Sequence, residues 1–231
     1  FSEKLKANGS FNYDQTKIHI YNKMNDLLGG DFWVDVNRFA ERDFADPNLA
    51  QHDLQIPNKI VKEGDTYQFD LDLNINTLNL FGQLEYNLPK LENYLSLTLS
   101  NTTFWRTGYF QNGLFPDNSL GDSEKQSFFN YGAKLGSTYK INGRNYFNVN
   151  AMYLTKAPAV RDAYYNYPSR DYLVKGISNI EIISGDVNYI IRYSKIKARL
   201  SAFYTEINNQ VYNKMFYHEE YRTFITYLMN G

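Results

Sequence analysis

The residues of this chain that could do chemistry are few, and their spacing argues against catalysis. Cysteine is absent, which removes thiol nucleophiles, disulfides and thiolate metal sites. No stretch reads G-x-S-x-G, H-E-x-x-H or G-x-x-x-x-G-K-[ST], so the serine-hydrolase, zinc-protease and P-loop chemistries lack their frameworks. His19, His52 and His218 fall in or beside connections, at no spacing that joins two of them on one metal. The chain is therefore expected to be no enzyme and to need no cofactor.

What remains is binding chemistry. Asp70 and Asp72 are two residues apart, so on a strand both carboxylates share one face. With Asn74 they offer oxygen ligands to a hard cation such as calcium; the competing reading is a hydrated strand end. Asp43 and Asp46 invite the same two readings. Trp33 follows Gly29-Gly30 in a long connection, and Trp105-Arg106 stands at the end of an apolar strand. An indole beside a guanidinium can stack on a sugar ring or clamp a peptide, while Trp105 suits a membrane-interface belt equally well. Arg161 and Arg170, each followed by an aspartate, are further candidate contacts for a polar ligand. Trp33, Trp105, Arg106, Arg161 and Arg170 are the residues expected to touch a substrate.

Such residues need a frame, and the frame is legible between Tyr131 and Thr155. Tyr131, Ala133, Leu135, Tyr139 and Ile141 alternate with polar or small residues. Asn142-Gly143 then supplies a turn suited to the φ > 0 positions of a two-residue hairpin. Phe147, Val149, Ala151 and Tyr153 resume the alternation. Period two over about ten residues per strand, with aromatics near the ends, is the pattern of a transmembrane β-strand. Similar segments occupy Leu5–Tyr13, Thr66–Leu88, the run around Leu95 to Leu99, Ile183–Arg192 and Ala198–Thr205, and a last strand is expected from about Tyr221 to Gly231. In Thr66–Leu88 the apolar residues change from odd to even positions near Asn76-Thr77, which predicts a β-bulge there. A short helix near Ile20 to Leu28 is a further expectation.

The connections alternate in length. Long ones run from about Asp14 to Asp65, Thr107 to Ser127, Lys156 to Asn179 and after Thr205; short ones fall at Pro89 to Asn93, Asn142-Gly143 and Tyr193 to Ile196. Outer-membrane barrels segregate loops in this way, with short periplasmic turns and long extracellular loops. Facing follows from cost: Lys or Arg at the lipid midplane costs about 2–4 kcal/mol. Lys134, Lys140, Asp186 and Arg199 therefore line the interior, and Leu97, Leu135, Val149, Val187 and Leu200 meet lipid. Tyr86, Tyr94, Tyr139, Tyr146 and Tyr189 would form an aromatic girdle at the short-turn end.

Composition is compatible with this and excludes little else. A mean hydropathy of -0.54 suits a soluble protein or a barrel, since half of each barrel strand faces water. The net charge of -1 lacks the basic excess of a nucleic-acid partner. No apolar run of about 18 residues provides a membrane helix. Phe1-Ser2-Glu3-Lys4 has no signal-peptide pattern, so the signal of a membrane barrel would have been removed or would lie outside these residues.

Several stretches together resemble the large TonB-dependent outer-membrane receptors of the SusC-like kind. These are His19 to Asp31 (HIYNKMNDLLGGD), Asn101 to Gly108 (NTTFWRTG), Phe115 to Ser119 (FPDNS), Asn130 to Tyr146 (NYGAKLGSTYKINGRNY), Thr155 to Tyr164 (TKAPAVRDAY) and Phe216 to Gly231 (FYHEEYRTFITYLMNG). The resemblance implies an all-β fold: an antiparallel transmembrane barrel of about 22 strands with a plugged lumen, of which residues 1–231 would be about eight consecutive strands. It implies outer-membrane lipid as the surroundings, the TonB complex as the energy source through a plug domain outside this segment, and a surface lipoprotein of the SusD-like kind as a partner. The function it implies is energised uptake of a nutrient such as a glycan, peptide or chelate. Two other readings fit the pattern alone: a self-contained eight-stranded barrel of structural or adhesive role, with Leu5–Tyr13 pairing the last strand, and a soluble carbohydrate-binding β-sandwich.

Overall fold

The computed structural model describes residues 4–219 and 223–230. The fold is all-β and antiparallel. Strand β1 is Leu5–Lys23, and the connection after it holds two short strands, β2 (Trp33–Val34) and β3 (Ile60–Val61), with a helix α1 (Arg38–Asp43) between them. The long strands β4 (Thr66–Asn87) and β5 (Leu91–Gly108) follow, then the short β6 (Gly121–Asp122), β7 (Gln126–Asn142), β8 (Asn145–Lys156), β9 (Ile180–Arg192) and β10 (Lys197–Asn208). The chain ends in β11 (Val211–His218) and β12 (Thr223–Asn230). The main sheet runs β1-β4-β5-β7-β8-β9-β10, with β6 attached to β5; β11 pairs β12, and β2 pairs β3. Among the described residues the sheet is open, with β1 and β10 as its edges.

Direct partners in antiparallel strands share a face, so the register sorts the side chains. One face carries Phe11 and Tyr13 of β1, Leu80 and Leu84 of β4, Leu95, Leu97 and Leu99 of β5, and Leu135 of β7. The band continues through Phe147 and Val149, then Val187 and Tyr189, to Leu200 on the edge strand. No described layer covers it: Leu97 is 54%, Leu135 53% and Leu200 75% exposed. Soluble monomers rarely expose apolar patches above a few hundred Å², and this band crosses every long strand of the sheet. Lys134, Lys140, Asp186 and Arg199 all fall on the opposite face.

The polarity of the two faces inverts partway up. The bare face ends its apolar band at the row Tyr13, Leu78, Asn101 and Phe129; the next row is Gln15, Asn76, Thr103 and Ser127. Beyond it stand Lys17, Asn74 and Asp72. On the opposite face the change runs the other way, from Lys6, Asn8, Ser96 and Thr98 to Ile18, Ile20, Leu71, Leu73, Phe104 and Phe128. That upper region is the hydrophobic core. The connection 157–179 folds over it and packs Val160, Ala163 and Tyr164 against Leu71, Leu73, Phe104 and Phe128. Phe104 stacks on Phe128 at 5.4 Å and meets Tyr164 edge-on at 6.3 Å. Each large side chain buried this way stabilises by roughly 1.5–3 kcal/mol.

This inversion corrects the expected bulge. Pairing is continuous through Asn76 and Thr77 on both sides, against Gln15 and Asp14 and against Thr103 and Thr102. The apolar residues change parity because the covered face changes, not because the backbone gains a residue. The real irregularity lies higher, where Tyr21 pairs Asp70 but Asn22 pairs Tyr67, and Gln68 takes a left-handed φ of 66°.

Strand lengths agree with the inversion. A tilted barrel strand crosses the hydrocarbon in about 9–11 residues. β8, β9 and β10 have 12, 13 and 12 residues, whereas β1, β4, β5 and β7 have 19, 22, 18 and 17. The longer strands stand beyond the apolar band and carry the core.

Other expectations need correction. The segment expected to form a helix near Ile20 to Leu28 continues β1 as far as Lys23; the helix is α1, capped by the Asn37 side chain, which accepts from the Phe39 and Ala40 N–H groups. The hairpin turn centres on Gly143 and Arg144, because Asn142 pairs Asn145. Gly143 lies outside the left-handed region, and Asn142 Oδ1 holds the turn by accepting from Arg144 N and Asn145 N, both at 2.9 Å. The polar stretch after Thr205 is no long loop: β10 passes through Asn209, at φ 60°, into β11. The expected last strand corresponds to β12, while Tyr221 and Gly231 lie outside the described residues. Tyr94 and Tyr146 leave the expected girdle, since their register places them on the opposite face. Gly136 makes Tyr94 possible there: a Cβ on Gly136 would lie 2.3 Å from Tyr94 Cε1.

Candidate functional site

The three long connections, 24–65, 109–125 and 157–179, gather at one end of the sheet and are tied into one cap. Leu54 N donates to the Gln111 carbonyl at 2.7 Å, and Gly113 N to the Gln51 carbonyl at 2.8 Å. Gln111 N donates to Asp53 Oδ1 at 3.2 Å. Gly113 has no room for a side chain, because a Cβ would meet the Asn48 carbonyl oxygen at 2.0 Å. Within the first connection, buried Asp35 places Oδ1 2.6 Å from His52 Nδ1, and its Oδ2 accepts from Gln68 N at 2.9 Å. That second bond holds the left-handed residue of the bulge. The second and third connections are joined by Asp171 N, which donates to the Asn118 carbonyl at 2.8 Å.

Arg106 locks this joint. It leaves β5 on the core side, is 2% exposed, and uses each guanidinium nitrogen on a backbone carbonyl. Nε donates to Tyr167 at 2.6 Å, Nη1 to Ser119 at 2.7 Å and Nη2 to Pro168 at 3.3 Å. Ser123 Oγ accepts from Arg106 N at 2.9 Å and lies 3.1 Å from the Tyr164 hydroxyl. A guanidinium presents its donors in a rigid planar fork, which suits carbonyls arriving from two loops. Arg106 clamps the two connections together, with every guanidinium nitrogen engaged. Burial pushes the nearby Asp171 carboxyl up from its ordinary range, with Arg106 pulling the other way. Burial likewise raises the Tyr164 hydroxyl and the Asp162 carboxyl.

Arg170 belongs to the same joint but is used differently. Its guanidinium carbon sits 4.5 Å from the centre of the Phe115 ring and 5.6 Å from that of Tyr172. Trp33 is exposed in β2 with Arg38 at 5.7 Å from its ring. Trp105 lies on the bare face just above the apolar band, with Lys125 Nζ 4.5 Å from its ring; Tyr13, Asn76, Leu78 and Thr103 complete a shallow hollow there of about 220 Å³. Arg161 is exposed. Among the described residues no hydrogen bond, ion pair or ring contact joins Trp33, Trp105 or Arg161 to the Arg106–Arg170 joint. The expected residues therefore occupy separate places, and Arg106 and Arg170 alone share one.

Asp70 and Asp72 do share a face, and one oxygen of each is engaged, whereas Asp72 Oδ1 is buried without a hydrogen-bond partner. Lys17 Nζ lies 2.6 Å from Asp72 Oδ2, His19 Nε2 2.6 Å from Asp70 Oδ1, and the Tyr109 hydroxyl donates to Asp72. Asn74 Nδ2 donates to Thr107 Oγ1 at 3.0 Å. Lys17 and His19 thus take the place a cation would hold on Asp72 Oδ2 and Asp70 Oδ1. No group of three or more metal-ligating side chains occurs among the described residues.

The polar face below the core forms a connected wall. Asn188 is 1% exposed; its Oδ1 accepts from Arg199 Nε at 2.9 Å, Arg199 Nη2 at 2.7 Å and Ser201 Oγ at 2.7 Å. Its Nδ2 donates to Asn148 Oδ1 at 2.9 Å. Asn150 Nδ2 donates to Asp186 Oδ1 at 3.0 Å. Tyr94, Lys134, Met152 and Ser184 complete with Asn150 and Asp186 a hollow of about 300 Å³. The alternation marks these residues as one polar face; nothing in it shows that β8, β9 and β10 are cross-linked through Asn188.

The chain matches no protein-family model and no curated protein.

Proposed function

We propose that this chain is part of the wall and outer loops of a transmembrane β-barrel, in a TonB-dependent receptor of the SusC-like kind that imports a nutrient such as a glycan, peptide or chelate. The observation that carries the reading is the inversion of polarity at unbroken register. Leu80, Leu84, Leu97 and Leu99 are bare while Asn76, Asn74 and Asp72, farther along the same face, are polar. A face that is apolar over one span and polar beyond it is what two solvents along one strand would select. From Leu78 to Tyr86 the strand rises about 27 Å, which at a tilt of 35–45° covers most of an apolar band of about 25 Å.

On this reading the bare band faces lipid, the Asn188 wall faces the lumen, and the cap of three long connections faces outside. Edge strands β1 and β10 continue into neighbouring barrel strands, because unpaired backbone is not tolerated in hydrocarbon. The resemblance of the quoted motifs supplies the plug, the TonB complex and the surface lipoprotein as partners. The self-contained barrel would need β1 to pair β12, and no such pair occurs among the described residues. The sandwich lacks a second layer on the bare face among the described residues. Expression of the full receptor, followed by outer-membrane fractionation and gel mobility before and after boiling, tests the proposal. Fractionation with the outer membrane and a heat-dependent mobility shift are expected; a detergent-free soluble protein with a cooperative melt would overturn it.

A further inference from the structure

We propose that Arg170 receives a carboxylate of the incoming solute, so that the receptor prefers anionic over neutral ligands. The inference rests on the uptake reading above, which turns the cap toward the solute. It starts from a contrast between two guanidinium groups of one joint. Arg106 satisfies all its nitrogens with carbonyls. Arg170, whose Nε is buried, gives that nitrogen no partner. No side-chain hydrogen bond or ion pair to Arg170 occurs among the described residues; the rings of Phe115 and Tyr172 lie beside its guanidinium.

A cation beside aromatic rings keeps its charge and its donors. The buried Nε is out of a solute's reach, so the donors on offer are the two Nη groups, whose planar arrangement suits a two-oxygen anion. A single positive charge matches one carboxylate better than a dianionic phosphate. Asp171, the adjacent carboxylate, does not come within ion-pair distance and lies in the field of Arg106 instead.

The position is also rigid. Arg170 N and Ser169 N both donate to the Asn166 carbonyl at 3.0 Å, and Asp171 N is anchored on Asn118. Arg106 holds the Tyr167 and Pro168 carbonyls just upstream. Little conformational freedom is left to lose when a ligand arrives, which favours binding. Tyr172, 43% exposed and 5.4 Å from Tyr165, leaves an aromatic flank open for the apolar part of the ligand.

Calorimetric titration of the full receptor in detergent with benzoate, and with neutral benzamide of the same shape, tests this. Benzoate is expected to bind at least about tenfold more tightly, as one charge-assisted pair provides. Arg170→Gln should abolish that preference and Arg170→Lys should keep part of it, with the heat-dependent gel mobility of both variants unchanged. Equal binding of benzoate and benzamide, or a preference that survives in Arg170→Gln, overturns the inference while a heat-dependent mobility leaves the barrel reading standing. A benzoate preference in a protein that fractionates as soluble keeps the anion site and overturns the uptake reading.

Discussion

Replacing Arg106 by methionine keeps most of its apolar volume and removes every donor of the clamp. Three carbonyls then lose a charged partner, those of Tyr167, Ser119 and Pro168, at 2.6, 2.7 and 3.3 Å. A hydrogen bond to a charged group contributes about 1.5–3 kcal/mol. The longest of the three is weak, and water can reach part of the vacated space, so a net loss of about 3 kcal/mol is expected. The loss is local, because the clamp joins two connections rather than two long strands. Hydrogen exchange reads it directly: Asp171 N–H, bonded to Asn118, and Val174 N–H, bonded to Ala163, should exchange about 100-fold faster. Amides at the β4–β5 pairs Leu84 with Leu95 and Leu80 with Leu99 should not change. Unaltered exchange at Asp171 and Val174, or equal acceleration in the β4–β5 ladder, would refute the assignment of Arg106 as a loop clamp.

Gly136→Val drives a branched side chain into Tyr94 and Asn150 Oδ1, 2.3 and 2.4 Å from where a Cβ would stand. A loss of about 1–3 kcal/mol in urea unfolding is expected, and the Tyr94→Ala background should recover a good part of it. Asp171 should make the cap sensitive to acid in an unusual sense. Burial raises its folded pKa above the unfolded value, so the folded state holds more protons between the two, and stability falls as pH rises through that window. Protection of Val174 N–H should accordingly be greater below the window than above it, and Asp171→Asn should remove the dependence; protection that rises with pH in the wild type would contradict the sign. Asn142→Ala, which strips Arg144 N and Asn145 N of their acceptor, should cost about 1 kcal/mol in the same urea assay, with no change in exchange at the cap.

Strand identity and facing were legible because a residue's side is fixed by parity alone: Leu97, Leu135, Val149 and Lys134 needed no knowledge of partners. The reading of Thr66–Leu88 failed for the same reason. Parity alone implies one apolar face from end to end, whereas Leu71 and Leu73 are covered by a connection distant in sequence. β11 was missed because Asn213 and Lys214 break its alternation, so it resembled a polar loop. The clamp could not be read at all: Arg106 meets Ser119, Tyr167 and Pro168 only because two connections fold back over one strand. Arg170 was picked out for its type and its loop, but its aromatic neighbours come from different connections, and no spacing announces that Phe115 and Tyr172 will meet beside it.

On the proposed reading one face of β4 passes from hydrocarbon into water. Single cysteines at Leu84, Leu80, Asn76, Asn74 and Asp72, introduced into the full receptor in bilayers with any cysteine outside residues 1–231 replaced, can each carry one spin label. Collision with dissolved oxygen and with a water-soluble nickel chelate then reports the surroundings at each site. Leu84 and Leu80 should favour oxygen and exclude the chelate, with the preference reversing by Asn76 and Asn74. Equal chelate access at all five sites would contradict the account.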